Sequence, residues 1–338
     1  MKTKKSKILY LTFHPDIGGG EAILLSLLTK LYKNIFEPTV VVTKKGQLSK
    51  ALSKIKIKTY ILNLSPYFIR ELFIPGMSPI GIYKFTKLAK KIKPDLIHVN
   101  HLNLAVYAKA AAIPLKIPVV ATAHGNWDCI YFYQDLVNRF CTDKIFANTP
   151  ETAKSLLRQK IIQKNKVTII PFGIDTNLFK PATRHQVPGT RHQLGLPQND
   201  LIVTIVGRLD PVKDHLTFLK AAKLINEKLN NVTFFIVGSK LGDFSNQSGT
   251  YAKQVQDYLS KNPALEKKVV FGSFINSMSS VYHATDILVS SSPKESFGLA
   301  LAEGAACGLP LIATSDQKLI VKNGQKNFNL SRKFKTSQ

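Results

Sequence analysis

Long apolar runs, cysteines and acidic residues are what this 338-residue chain has least of. No apolar stretch approaches the roughly 20 residues that a bilayer-spanning helix needs. The nearest, residues 22–31, is broken by Ser26, Thr29 and Lys30. The chain opens on a basic segment with Lys2, Lys4, Lys5 and Lys7, but the apolar segment after it covers only residues 8–13. That is too short for the core of a signal peptide and reads as a first strand. Cys129, Cys141 and Cys307 are few, odd in number and widely spaced, which suggests neither a disulfide framework nor a metal site. These absences point to the cytosol.

Acidic side chains number 21 against 47 Lys and Arg, a net charge of +26. Residues 1–100 alone carry 18 basic and 5 acidic residues. No nucleic-acid-binding motif accompanies this excess, and no aromatic–basic interleaving of the kind that stacks bases, so no nucleic-acid partner is expected. An anionic membrane surface suits a basic N-terminal half, and a solvated, charged face suits it equally. The first reading makes the protein peripheral on the inner face of the membrane.

Apolar residues make up 44% of the chain and charged residues 20%, enough for a substantial core in one large or two ordinary domains. Buried apolar runs at 8–13, 39–43, 95–99, 118–123, 144–148 and 167–170 read as strands, with amphipathic helical segments between them. Residues 56–62 alternate Lys with apolar side chains, the mark of a half-exposed edge strand. The segment 65–79 holds three prolines and several aromatics and reads as a mobile loop. Strands alternating with helices at this spacing give an α/β fold with a parallel sheet covered on both faces.

Ligands of such sheets sit at the carboxyl ends of the strands. Gly18, Gly19 and Gly20, His98 to His101, His124, and Gly173 to Asp175 all fall just past a strand. Residues 180–200 are poor in apolar side chains, hold three prolines and repeat Arg-His-Gln; they read as a linker. The βα pattern then restarts at 201–206. The expected organisation is an N-terminal domain over 1–179, a linker over 180–200, a second Rossmann-like domain over 201–316 and a basic tail over 317–338.

One stretch of the second half, Glu295-Ser296-Phe297-Gly298-Leu299 through Glu303 to Cys307-Gly308-Leu309-Pro310, follows a buried strand over 286–290. A strand, a glycine turn and a helix N-terminus make an anion site, because unpaired backbone N–H groups and the helix dipole face the turn. A helix from about Phe297 leaves Glu295 in the turn and puts Glu303 about two turns in. Carboxylates repel a phosphate, so their natural partners are flanking hydroxyls. A charged centre with hydroxyl-rich ends describes a nucleotide sugar.

Gly18-Gly19-Gly20-Glu21, Pro171-Phe172-Gly173-Ile174-Asp175, Gly207-Arg208-Leu209 with Lys213, and Glu295 with Glu303 eight residues on occur here in one order. From about Ile8 to Thr314 this pattern resembles glycosyltransferase family 4. The resemblance implies the GT-B fold, two Rossmann-like domains facing across a cleft. It also implies a retaining transferase that needs no metal or other cofactor, with a nucleotide-diphosphate sugar as co-substrate. Arg208 and Lys213 then clamp the diphosphate, Arg by fork geometry and Lys as a point charge. A salt bridge of Lys213 with Asp210 or Asp214 is the competing reading.

By the same resemblance Glu295 binds donor-sugar hydroxyls, Glu303 holds the ribose, and the N–H groups of Phe297, Gly298 and Leu299 add to the clamp. Gly18, Gly19 and Gly20 let the backbone approach the donor, and His124 stands near donor sugar and acceptor. Gly238 and Lys240 approach the nucleotide, and residues 273–276 the base. His98 and His101 are weaker candidates, and His14, His185, His192, His215 and His283 carry no role. Hexosyl transfer to a lipid-linked or polysaccharide precursor of the cell envelope is the activity implied.

After Thr314 the pattern departs from the family. Its glycine-rich loop and Pro-Glu pair are missing, and residues 318–338 hold six basic residues and no acidic one. A shortened or degenerate C-terminus, leaving the second domain incomplete, is the expectation from this segment. It opens an alternative function, a non-catalytic descendant that still binds nucleotide sugar.

Overall fold

The structure is a computed structural model that describes residues 4–64, 66–69, 74–125, 132–183, 185–238, 245–272 and 277–314. Lys240, residues 273–276 and the tail 317–338 lie outside them. The chain divides into two compact units, Met1–Phe172 and Gly173–Gln338.

In chain order the first unit contains β1 (Ser6–Thr12), α1 (Gly19–Lys30), β2 (Phe36–Val42), α2 (Gln47–Lys54) and β3 (Lys58–Ile61). The hairpin strands β4 (Pro66–Ile69) and β5 (Ile74–Met77) follow, then α3 (Pro79–Ile92), β6 (Leu96–Val99) and α4 (Ala105–Leu115). It closes with β7 (Val119–Ala123), α5 (Phe132–Cys141), β8 (Lys144–Ala147), α6 (Pro150–Leu157) and β9 (Val167–Ile169). Seven strands form one parallel sheet in the order β3-β2-β1-β6-β7-β8-β9. The edge position expected for residues 56–62 is observed, with β3 outermost.

Strand periodicity explains how this sheet is covered on both faces. Successive side chains of a strand point to opposite sides. Ile8 and Tyr10 of β1 therefore pack with Leu24 and Leu28 of α1 and Leu48 and Leu52 of α2. Leu9 and Leu11 face the other way, onto a core with Phe85 and Ala89 of α3 and Tyr107 and Ala111 of α4. Local chemistry sets the helix starts. Ser78 and Thr149 accept hydrogen bonds from the backbone N–H groups of Gly81 and Thr152, and a proline follows each cap. The segment expected as a loop over 65–79 instead contains the antiparallel β4–β5 pair. Prolines 66 and 75 sit in a two-stranded ribbon, where each strand has one unpaired edge and the missing N–H costs little.

The second unit contains α7 (Gln186–Gln193), β10 (Leu201–Val206), α8 (His215–Asn226), β11 (Val232–Val237), α9 (Ser245–Ser260) and α10 (Pro263–Glu266). β12 (Val269–Gly272), α11 (Met278–Ala284), β13 (Ile287–Ser290), α12 (Leu299–Ala306) and β14 (Leu311–Ala313) follow. Its five strands are parallel, ordered β12-β11-β10-β13-β14. As in the first unit, the first strand lies in the sheet interior, and the chain order reverses beside it. Such reversals leave a crevice at the carboxyl ends of the strands.

Residues 180–200, expected as a linker, are largely part of this unit. Arg191 of α7 is buried; its guanidinium donates to the carbonyls of Ala284, Gln198 and Asp200 and pairs with Asp286 at 2.6 Å. Few apolar residues mark the segment because a charged side chain, with four hydrogen bonds to its guanidinium, does the anchoring.

Candidate functional site

At the carboxyl edge of the first sheet, four elements meet around Glu21. The glycine-rich turn after β1 starts α1, and Glu21 lies in its first turn with 2% exposure. Its Oε2 accepts from the Gly18 N–H at 3.3 Å, and its Oε1 accepts from Thr12 Oγ1 at 3.3 Å. His101, just past β6, places Nε2 2.6 Å from the same Oε1. Burial pushes the carboxyl up, but the His101 hydrogen bond and charge pull it further down, so it sits below its ordinary value. The positive end of α1 favours the same ionised state.

Asn100 occupies the neighbouring position, 3% exposed. Its Nδ2 reaches the Gly20 carbonyl at 3.3 Å and Thr12 Oγ1 at 3.5 Å, and its Oδ1 lies 2.9 Å from His124 Nε2. The His124 backbone carbonyl accepts from Asn148 Nδ2 at 3.1 Å. The His124 ring stacks against Phe172, centroids 5.4 Å apart, and lies 5.6 Å from the His101 ring. It also covers Gly20, where a Cβ would come within 3.1 Å of its Cδ2. Burial, with the nearby His101, lowers the His124 pKa to about 4. This ring is neutral at physiological pH.

In the second unit the turn after β10 approaches the turn after β13. Lys213 ends a 3-10 turn (Pro211–Lys213), and its Nζ donates to Glu295 Oε2 at 2.6 Å. The competing salt bridge with Asp210 or Asp214 is not what forms. Those carboxylates cap instead: Asp210 accepts from the Val212 N–H, and Asp214 accepts from the N–H and hydroxyl of Thr217. Ser291, at the end of β13, turns its hydroxyl to the Lys213 and Asp214 carbonyls at 2.9 and 2.7 Å. It ties together the two turns that carry the ion pair.

The helix α12 begins at Leu299, not at Phe297. Gly298 caps it in the left-handed region, φ 71°, a conformation that favours glycine. Glu303 lies one turn in, buried, and accepts from the Tyr282 hydroxyl at 2.6 Å. Burial raises the Glu303 carboxyl to about 7, partly offset by that hydrogen bond. Burial and Glu303 together push the Tyr282 hydroxyl well above its ordinary value. Gly238, at the end of β11, has no room for a side chain, since a Cβ would lie 2.0 Å from the Gly207 carbonyl oxygen. Arg208 is exposed beside it.

The structure thus brings together two groups foreseen in the sequence: Gly18, Gly19, Gly20 with His124, and Lys213 with Glu295. His98 stands apart, inside β6, hydrogen-bonded to Thr122 and packed against Tyr10 and Phe146. Its pKa is lowered by burial to about 4; it is a core histidine. His14, given no role from sequence, lies edge-on to His101 at 4.9 Å. Thr12, Tyr282 and Ser291 were missed, and Asn100 was placed at the strand edge, within 98–101, without a role of its own. Position directly after a strand could have flagged Ser291; nothing in the sequence marks Tyr282. No group of three His, Cys, Asp or Glu side chains able to hold a metal occurs among the described residues. No helix among them is long and apolar enough to cross a membrane.

Two family models match the chain. "Glycosyltransferase Family 4" covers residues 17–178 and "Glycosyl transferases group 1" covers residues 187–327. A similar curated protein is the Escherichia coli UDP-Gal:alpha-D-GlcNAc-diphosphoundecaprenol alpha-1,3-galactosyltransferase. It is 26% identical over 335 residues, spanning 94% of this chain and 82% of that one. The D-inositol 3-phosphate glycosyltransferase of Corynebacterium glutamicum is 24% identical, with 88% and 75% covered. Among solved structures, Anabaena HepE in complex with UDP and glucose superposes with a TM-score of 0.75, at 22% identity, over 91% of this chain and 80% of that one. WaaG, a glycosyltransferase of lipopolysaccharide biosynthesis, matches with a TM-score of 0.65 at 16% identity, covering 91% and 80%. The fold expected from sequence, GT-B, is the fold of these structures.

Proposed function

The chain belongs to glycosyltransferase family 4, the glycosyl transferases group 1, and we propose that it is a retaining, metal-independent hexosyltransferase. Its donor is a uridine-diphosphate sugar, as the names of its relatives suggest. Its acceptor is a hydroxyl on a lipid-linked or polysaccharide precursor. The observation that carries this reading is the Lys213–Glu295 pair held beside the N-terminus of α12.

An ammonium has three hydrogens, and the ion pair uses one. The others can meet the oxygens of a departing diphosphate, and the charge of the exposed Arg208 acts on the same oxygens. Stabilising that developing charge by fixed cations and backbone N–H groups lowers the barrier without reorganisation. Glu295 offers its second oxygen to a sugar hydroxyl. Glu303, with Oε2 already engaged by Tyr282, offers Oε1 to the ribose. The first unit takes the acceptor, with its Gly18–Gly20 turn approaching the donor and His124 near donor sugar and acceptor. Its basic surface, with 18 Lys and Arg in residues 1–100, suits an anionic membrane carrying a lipid-linked acceptor.

The test is transfer and donor hydrolysis by the full chain across UDP-sugars, with product anomers read by NMR and Glu295→Gln as control. Retention of the donor's anomeric configuration, lost with the variant, is the expected result. Donor binding without turnover assigns the non-catalytic reading, and absence of donor binding overturns both.

A further inference from the structure

We propose that Asn100 is a positioning residue that fixes the tautomer of His124, holding the hydrogen on Nε2 so that the ring enters any reaction as a hydrogen-bond acceptor through Nδ1. The argument follows hydrogen-bond polarity through the buried network at the carboxyl edge of the first sheet. Glu21 stands at its head, and an ionised carboxylate only accepts. Thr12 Oγ1, 3.3 Å from Glu21 Oε1, must therefore donate to it. The one hydrogen of that hydroxyl is then spent, so toward Asn100, 3.5 Å away, Thr12 presents a lone pair.

The Gly20 carbonyl, 3.3 Å from the same Asn100 atom, is likewise an acceptor only. Two acceptors on one side of the amide require the NH₂ there. Oδ1 consequently faces His124, and an amide oxygen at 2.9 Å requires a hydrogen on Nε2. A neutral imidazole carries one hydrogen, so Nδ1 holds a lone pair. The charged ring, which would carry hydrogens on both nitrogens, is disfavoured by burial and by His101 at 5.6 Å. The groups facing this ring are Glu21, His101 and His98, with His14 behind His101. Among the described residues named here Glu21 is the anion, and its charge is engaged by His101.

A His124 so fixed accepts a hydroxyl hydrogen but supplies none. Its Nδ1 is covered in this structure, and a ring in this tautomer cannot act there as the acid for a leaving group. That consequence rests on the glycosyltransferase reading; the tautomer does not. Long-range proton–nitrogen NMR of the ¹⁵N-histidine-labelled full chain reads the tautomer without substrate, with His124 assigned by its loss in His124→Gln. The expected spectrum has Nε2 protonated and Nδ1 bare from pH 8 down to about 5.

Asn100→Asp keeps an acceptor toward Nε2 but places a charge there, so the His124 titration moves up by about one pH unit or more. The acid limb of kcat moves with it. Asn100→Leu removes the acceptor and lets the second tautomer populate. A wild-type ring protonated on Nδ1 overturns the proposal, as does a titration indifferent to Asn100→Asp in a protein that melts like wild type. If the tautomer is found and no donor is turned over, the assignment to Asn100 stands and the transferase reading falls.

Discussion

The Tyr282 hydroxyl donates to Glu303 Oε2 at 2.6 Å, with both side chains buried. The contact engages one carboxylate oxygen and fixes the plane of the group. Tyr282→Phe removes the donor, and the carboxyl then loses the one hydrogen bond that favours its ionised form. UDP affinity is expected to fall about tenfold at pH 7, since a hydrogen bond to a charged group contributes roughly 1.5–3 kcal/mol. Titration calorimetry measures it, and an unchanged Kd removes Tyr282 from the site. In the wild type, UDP affinity should rise as pH passes upward through about 7, where Glu303 ionises.

Lys213 and Glu295 are predicted to act as a unit. Glu295→Gln lowers kcat by on the order of 10²–10³ and leaves UDP affinity nearly intact. Lys213→Ala weakens both. Because the side chains share one ion pair, the double variant should cost less than the two single losses combined. Strict additivity in kcat/KM would show that they act separately.

The thermal stability of the ligand-free protein should fall as the solution is acidified from about 6.5 to about 4. His215 is buried and His98 and His124 are half-buried, and the pKa of each is lowered to about 4. The unfolded chain therefore binds more protons than the folded one across that window, so acid favours unfolding. Glu303 acts with the opposite sign. Its folded value of about 7 lies above its unfolded one, so it opposes folding as pH rises from about 4.5 to 7. Glu303→Gln should accordingly raise Tm at pH 8 and change it little at pH 4. Scanning calorimetry across pH separates the two trends.

Gly238→Ala is predicted to destabilise the second unit. Its Cβ would lie 2.0 Å from the Gly207 carbonyl oxygen, and backbone must move to make room. Overpacking of this kind costs roughly 1–3 kcal/mol, several degrees in Tm. Gly19→Ala is the control, since nothing lies within 4 Å of a Cβ there. Equal melting of the two variants would refute the crowding argument.

What the sequence displayed was periodicity and chemistry that act locally. The buried runs of β1 and β10, and the glycines before α1 and α12, each report on their own few residues and were legible. The ion pair of Lys213 with Glu295 spans 82 residues, and its members were recognisable only by their place after strands. Tyr282 was unreadable because an aromatic residue in a short amphipathic helix signals core packing, and its hydroxyl finds Glu303 only in three dimensions. Residues 180–200 were misjudged for a related reason. Their anchor, Arg191, looks solvated in sequence and is buried by partners that lie up to 95 residues away.

That anchor has a consequence for how the protein is made. Arg191 leaves the ribosome well before Asp286, and α7 cannot bury a guanidinium until its carboxylate arrives. At roughly 5–20 residues per second, the intervening 95 residues take on the order of 5–20 s to synthesise. The first unit, complete by Phe172, can fold during that interval while the start of the second stays open. The helix that precedes the whole second sheet is thus completed by a residue at the entry to the late strand β13.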